Sequence, residues 1–430
     1  MCAYKRPLTR EDLPDTLSYQ EDISILSSPL SLGRHILPNR ICYQPMEGCD
    51  GTHTGAPGEL TERRYRRFAS GGAGLIWFEA TAVVPEGRAN PRQLWLTPGN
   101  VDHYARLIDE IKALCLKVNG YEPLVICQLT HSGRYSKPAG IPAPLIAYHK
   151  PIYEKANPIS SECIVTDDYL DTLPDAYAFS ASLCAQAGFD GVDIKACHGY
   201  LLSELLNAYL RPGKYGGDTE GRTRLLLEAV RAVRSIAPSG FILASRFNAY
   251  DGYPYPYGIG DSGMPGVPDL SEGVCISQLL CESGVQLLNI TMGNPYTNHE
   301  VNRPTVQAEE NPPYVSIKRM LDGAAAVQKA NPQAAVVASG FSFLGRLAPL
   351  VAAAYIKAGE FTIAGFGRQN FAYPDLARDL LQSGFMQKDK LCLTCGKCTE
   401  LMRSGRTPGC VIYDKLYTDL YKDMKNEVQS

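Results

Sequence analysis

Hydrophobic residues are distributed along this chain with two different periods. Short, nearly continuous apolar runs recur at Ile41–Gln44, Gly71–Val84, Pro123–Thr130, Val192–Ile194, Phe241–Phe247, Gln286–Met292, Ala335–Gly340 and Phe361–Gly365. Runs without strict alternation suit strands buried on both faces. Between them, segments 59–70, 101–118, 169–187, 220–236, 270–283, 314–329 and 344–358 carry helical periodicity. Eight such strands separated by helices predict a parallel sheet closed into an α/β (β/α)8 TIM barrel. In such barrels the chemistry sits at the C-terminal ends of the strands.

The pattern weakens at three places. Residues 1–24 are polar, with Pro7 and Pro14, and are expected to form an N-terminal extension. From Tyr135 to Asp167 no period holds and five prolines punctuate the run, which suggests a lid over the site. Past residue 385 a cysteine-rich segment, 386–430, follows the barrel proper at 25–385.

Composition narrows the classes of function. With 430 residues and 45% hydrophobic content, one barrel with additions is sufficient. A net charge of -3 and the absence of a basic tract argue against nucleic acid and favour small-molecule substrates. No run approaches the ~18 apolar residues of a membrane helix, and the opening MCAYKRPLTREDLPD lacks an apolar signal core, so a cytoplasmic location and no membrane partner are expected. Ten of the 14 cysteines are scattered singly, which does not suggest a disulfide framework.

The strand ends carry the candidate chemistry. After Val192–Ile194 come Lys195, Cys197, His198 and Tyr200, a crowd of proton-handling side chains. Arg246 ends the fifth strand, where a guanidinium would stabilise developing negative charge. Ser339–Gly340 and Gly367–Arg368 close the seventh and eighth strands, where barrels of this kind place a phosphate. Tyr250, Tyr253, Tyr255 and Tyr257 lie on a glycine- and proline-rich loop and suit either a substrate rim or a loop anchored by its own rings. Near the C-terminus, Cys392, Cys395 and Cys398 stand at CxxCxxC spacing with Cys410 beyond. Three close thiolates and a distant fourth suit a [4Fe–4S] cluster; zinc is the rival, although four-thiolate zinc sites more often use two CxxC pairs.

The sequence GVDI-x-A-x-HGYL, followed by YGG, Arg222 and Arg224, resembles the old yellow enzyme family of flavin oxidoreductases. Within it the resemblance is to the iron–sulfur branch, which includes 2,4-dienoyl-CoA reductase, trimethylamine dehydrogenase and enoate reductases. It covers roughly residues 25–415 and implies bound FMN. Pro45 and Met46 would lie against the flavin ring and Ala80 beside it. Gln128, in QLTHSGR, would meet the pyrimidine edge, and Arg246 would stand at the N1 side. Glu47 follows Met46 and is read either as a ring neighbour or as a loop carboxylate facing solvent.

Relatives with paired histidines read I-H-x-A-H. This chain has Ile194-Lys195-Ala196-Cys197-His198 and keeps only the second histidine. The resemblance implies an ene-reductase in which His198 and Lys195 hold a carbonyl oxygen and Tyr200 supplies a proton. His299 and Tyr250 are expected to contact substrate. The alternatives are an amine-dehydrogenase-type enzyme exporting electrons through the cluster, and a non-catalytic electron-transfer flavoprotein. No GxGxxG fingerprint occurs, so the reductant is either NAD(P)H bound directly over FMN or an electron-donor protein such as a ferredoxin or flavoprotein reductase.

Overall fold

The structure is a computed structural model that describes residues 13–155, 157–302 and 313–429. A hairpin of β1 (Leu30–Leu32) and β2 (His35–Leu37) precedes eight parallel strands. These are β3 (Ile41–Tyr43), β4 (Leu75–Ala82), β5 (Leu124–Thr130), β6 (Gly191–Ile194), β7 (Ile242–Tyr250), β8 (Leu287–Met292), β9 (Ala335–Ala338) and β10 (Ile363–Phe366). They close in sequence order, with β10 pairing β3, so the predicted (β/α)8 TIM barrel is the fold.

The period-two geometry of a strand sorts its side chains into two cores. Leu75 and Trp77, Leu124 and Ile126, and Ile242 and Ala244 point into the barrel, where Leu32 and Leu37 of the hairpin join them. Their neighbours Ile76, Phe78, Val125, Cys127 and Leu243 point outward under the helices. Both faces are therefore buried, which is why these strands read as continuous apolar runs.

The helices on the outer layer follow the predicted periods. They include α1 (Glu59–Ser70), α2 (Val101–Asn119), α4 (Asp167–Gln186), α6 (Thr219–Ile236), α7 (Ser271–Glu282) and α8 (Pro313–Ala330). Local sequence fixes several ends. Thr166 and Asp218 cap α4 and α6 by accepting from the Tyr169 and Gly221 N–H groups, and Gly120 ends α2 in the left-handed region. The helix predicted at 344–358 becomes α9 only at Ala348–Lys357, because Gly345, at φ 52 and ψ -124, breaks a tighter 3-10 stretch before it. The N-terminal extension lies outside the described residues as far as residue 12.

The segment read as a lid is a strap. It contains a short helix, α3 (Pro151–Glu154), and is fastened to the loop region after β6. Arg134 donates to Glu204 at 2.5 Å and to Glu154 at 2.7 Å, and the buried Lys150 ammonium donates to the Asn207 side chain at 2.5 Å. Burying these charges is tolerable only because Arg134 is ion-paired and Lys150 hydrogen-bonded, so the strap has polar fastenings rather than a hydrophobic pattern.

Beyond α5 (Leu201–Leu206), α10 (Arg368–Ala372) and α11 (Leu376–Ser383), the C-terminal segment adds α12 (Lys397–Arg403) and α13 (Lys415–Gln429). They pack through Leu401, Val411, Tyr417 and Met424. Asp414 ties the segment to α1 by accepting from Arg63 at 2.9 Å and Arg67 at 2.5 Å.

Candidate active site

A cleft opens at the C-terminal mouth of the barrel. Its wall takes residues from the end of every barrel strand and from the cysteine-rich segment. Of the residues singled out in the barrel sequence, Pro45, Met46, Glu47, Ala80, Gln128, Lys195, His198, Tyr200, Arg246, Ser339, Gly340, Gly367 and Arg368 all line it.

Asp193 organises the floor. It lies inside the barrel on β6 and accepts from Trp77 Nε1 at 2.8 Å, Gln128 Nε2 at 2.7 Å and the Arg246 backbone N–H at 2.7 Å. Burial pushes its carboxyl above the usual range, with these donors and the Arg246 charge offsetting part of the rise. The contact fixes the amide of Gln128 with its NH2 turned to Asp193, which leaves the carbonyl oxygen as its group for the cleft. Arg246 is 9% exposed and its Nε finds no hydrogen-bond partner among the described residues. A buried guanidinium with an unmet donor is suited to an anionic or carbonyl-rich ligand.

Lys195 crosses to Tyr200, where its Nζ stands 3.7 Å from the ring centroid. Burial lowers the ammonium's pKa, and Lys195 is only 5% exposed. The Tyr200 hydroxyl lies 3.0 Å from that of Tyr296, which stacks on Tyr135 at 4.0 Å. Burial holds the Tyr200 phenol well above its ordinary pKa, so it carries its proton at neutral pH. His198 takes a left-handed backbone, φ 67, a conformation that costs a residue with a side chain. Its N–H donates to Asn248 at 3.4 Å, and its Nε2 lies 3.4 Å from the Thr291 hydroxyl.

Glu47 faces the same cleft and is not a solvent-facing loop residue. Its Oε1 accepts from Asn90 Nδ2 at 3.1 Å. Burial raises its pKa, and the nearby charge of Lys195 offsets part of the rise.

Two expected substrate contacts are displaced. His299 is exposed and pairs with Glu300 at 2.8 Å, outside the cleft lining. Tyr296, nearer the end of β8 in the same segment, lines the cleft instead. Tyr250 is buried at the end of β7 with Arg319 over its ring at 5.8 Å, also outside the lining. Gln44 and Tyr296 are among the cleft residues that were not legible in the sequence. Gln44 exchanges amide hydrogen bonds with Asn289 at 3.1 and 2.8 Å and donates to Ser339 at 3.0 Å. Tyr296, like Gln44, carried no motif.

Cys392, Cys395, Cys398 and Cys410 line one small cavity with Arg368 and Phe371. Thr394 holds the left-handed conformation, φ 48, inside the first CxxC and donates its N–H to Cys392 Sγ at 3.4 Å. Burial pushes the Cys392 thiol up to about 12, with Arg368 offsetting part of the rise. Among the described residues, no group of three or more His, Cys, Asp or Glu is placed to hold one metal ion.

The sequence profile of the NADH:flavin oxidoreductase / NADH oxidase family matches residues 26–384. The chain belongs to this family. Its members are flavin- and NAD(P)H-dependent oxidoreductases, and the unmet Arg246, the oriented Gln128 and the glycine-lined strand ends fit the flavin that the family binds. The chain is 28% identical over 400 residues to a metal reductase of Desulforamulus reducens, covering 91% of this chain and 53% of that one. It thus spans about half the length of that relative. An NADPH dehydrogenase of Clostridium acetobutylicum is 28% identical over 291 residues, 66% of this chain and 81% of that one. Two solved structures share the fold. A 2-naphthoyl-CoA reductase complex has TM-score 0.75 at 20% identity, covering 92% of this chain and 58% of the other. An old yellow enzyme homologue from Zymomonas mobilis has TM-score 0.65 at 21% identity, over 90% and 98%. Among the described residues no helix is long and apolar enough to cross a membrane.

Proposed function

We propose that this member of the family is an FMN- and [4Fe–4S]-dependent ene-reductase acting on the C=C bond of an α,β-unsaturated carbonyl compound. One observation carries this reading: a proton-loaded phenol, Tyr200, faces the flavin cleft beside two groups able to hold an oxyanion, Lys195 and His198. FMN, when bound, supplies the hydride. Met46 and Ala80 would pack on its ring, Gln128 would meet its pyrimidine edge and Arg246 would answer the negative charge that reduction brings. Ser339, Gly340, Gly367 and Arg368 would receive its phosphate.

Lys195 and His198 hold the carbonyl oxygen of the substrate, and their charge and hydrogen bonds stabilise the enolate as it forms. Tyr200 then gives its proton to the α-carbon, and Tyr296, in hydrogen-bond contact with it, holds the phenol in place.

The four C-terminal cysteines would hold the cluster. Their convergence on one cavity, at a spacing of three close thiols and a distant fourth, supports this reading over zinc. Arg368, Phe371 and Cys398 line both this cavity and the flavin cleft, so a cluster held here would have only these residues between it and the cleft. Electrons would enter from NAD(P)H over the flavin or from a donor protein through the cluster.

Anaerobically purified protein is expected to hold one flavin and about four irons per chain. Its dithionite-reduced flavin should be reoxidised by 2-cyclohexenone without oxygen. Reduced flavin that enones fail to reoxidise, together with oxidised flavin that amines bleach, would assign the reverse, dehydrogenase chemistry. The Lys195→Met variant is expected to lower kcat/KM for the enone by roughly 10²-fold, the effect of losing one oxyanion donor, with flavin content unchanged. Steady-state assays with flavin quantified check this.

A further inference from the structure

Tyr200 and Glu47 both face the cleft, and substrate chemistry uses only the first. Tyr200 serves the α-carbon, while Glu47 has no part in that step. Its carboxyl is held at one end only: Oε1 receives Asn90 Nδ2 at 3.1 Å and lies 3.9 Å from Cys49 Sγ. Oε2 has no hydrogen-bond partner and Glu47 makes no ion pair among the described residues, and the side chain lines the flavin cleft beside Met46. The groups that bear on it are Lys195 and Tyr200 from the β6 side, Glu79 from β4, and Cys49 and Asp50 from its own segment. Lys195 is engaged over the Tyr200 ring and the Tyr200 hydroxyl with Tyr296, so neither is as free to serve the ring.

The need for such a group follows from electron bookkeeping. A hydride brings its proton with its two electrons, whereas a cluster passes electrons singly and without protons. Oxidised flavin, two electrons and one proton together give the singly protonated reduced form, and its remaining negative charge would face Arg246. We propose that Glu47 is the proton donor to the flavin when electrons reach it one at a time, a role that rests on the cluster-fed function above. Glu47 gives up the proton of its carboxyl, is left as a carboxylate facing Lys195 while the flavin stays reduced, and regains a proton from water entering the cleft once the flavin is reoxidised. Burial, which favours the protonated carboxyl, supports this assignment.

The test mixes oxidised holoenzyme with dithionite, a one-electron donor, and follows flavin and cluster absorbance separately in H2O and D2O. In Glu47→Gln full flavin reduction is expected to slow by roughly 10²-fold, stalling after one electron, with cluster bleaching at the wild-type rate and partial recovery in Glu47→Asp. Independently, infrared difference spectra of the wild type are expected to show a protonated-carboxyl band changing on flavin reduction. Full reduction of Glu47→Gln at the wild-type rate overturns the proposal. So does an unchanged carboxyl region in the wild type, which decides the matter even if the variant loses flavin. Protein containing flavin but no iron would overturn the cluster reading alone, because dithionite still delivers single electrons and the Glu47 result stands by itself.

Discussion

Replacing Tyr200 with phenylalanine is expected to slow alkene reduction by roughly 10²–10⁴-fold, the usual worth of a positioned general acid, while reduction of the flavin proceeds as before. The ring is 3% exposed and packs as phenylalanine would, and the Lys195 ammonium stands over the ring face rather than at the hydroxyl. The substitution therefore keeps the cation–π contact and removes the proton and its hydrogen bond to Tyr296. Losing the hydrogen bond between the Tyr200 and Tyr296 hydroxyls costs about 1–3 kcal/mol at most, too little to unfold a barrel of this size. Rapid-mixing measurements of the two half-reactions, donor with oxidised enzyme and enone with reduced enzyme, separate the effects. If both rates fall equally, Tyr200 is not the acid and its loss has disturbed the flavin site.

The barrel was legible because its strands are buried on both faces, which produces apolar runs such as LIWF and VICQ that helices do not imitate over so short a length. The cleft was legible to the extent that it is built on the strands: Lys195, His198 and Tyr200 follow directly from where β6 stops, and Gln128 lies near the end of β5, whereas Arg246, expected to end its strand, lies within β7, which runs on to Tyr250. What depends on turn geometry was not. His299 and Tyr296 lie three residues apart after β8, and only the path of the turn decides which of them faces the cleft. Buried charge was equally hidden. The segment ELTERRYRRFAS has the composition of a solvated helix, yet Arg64 in its middle is 4% exposed, and nothing in a local period marks a cation paired through tertiary contacts.

That arginine gives the largest expected effect on stability. Arg64 donates to Asp50 at 2.5 and 3.0 Å and also to Glu79, with side-chain exposures of 4%, 2% and 1%. Glu79 accepts the Gly48 N–H at 2.6 Å, and a side chain at Gly48 would fall within 2.2 Å of the guanidinium, so the packing requires glycine there. The cluster of charges thus joins α1 to the segment bearing Glu47 and to the strand bearing Ala80. Burial pushes both carboxyls up; Arg64 brings Asp50 below its ordinary value and offsets only part of the rise at Glu79. Arg64→Met would leave the buried Asp50 and Glu79 carboxyls without their ion-pair partner at a cost of about 3–5 kcal/mol, read as a lower midpoint in urea.

The pH dependence distinguishes this cause from lost packing. Without the cation, both folded pKa values rise above their unfolded values, so the native state binds more protons than the unfolded one between them. Stability then falls as pH rises through that window, and the variant is expected to recover stability on acidification from roughly pH 8 to 6. Glu79→Gln in the same background should return part of the loss by removing one charge. A variant with a wild-type midpoint, or one whose deficit is the same at every pH, would show that the guanidinium contributes by packing alone and that its charge is already balanced elsewhere.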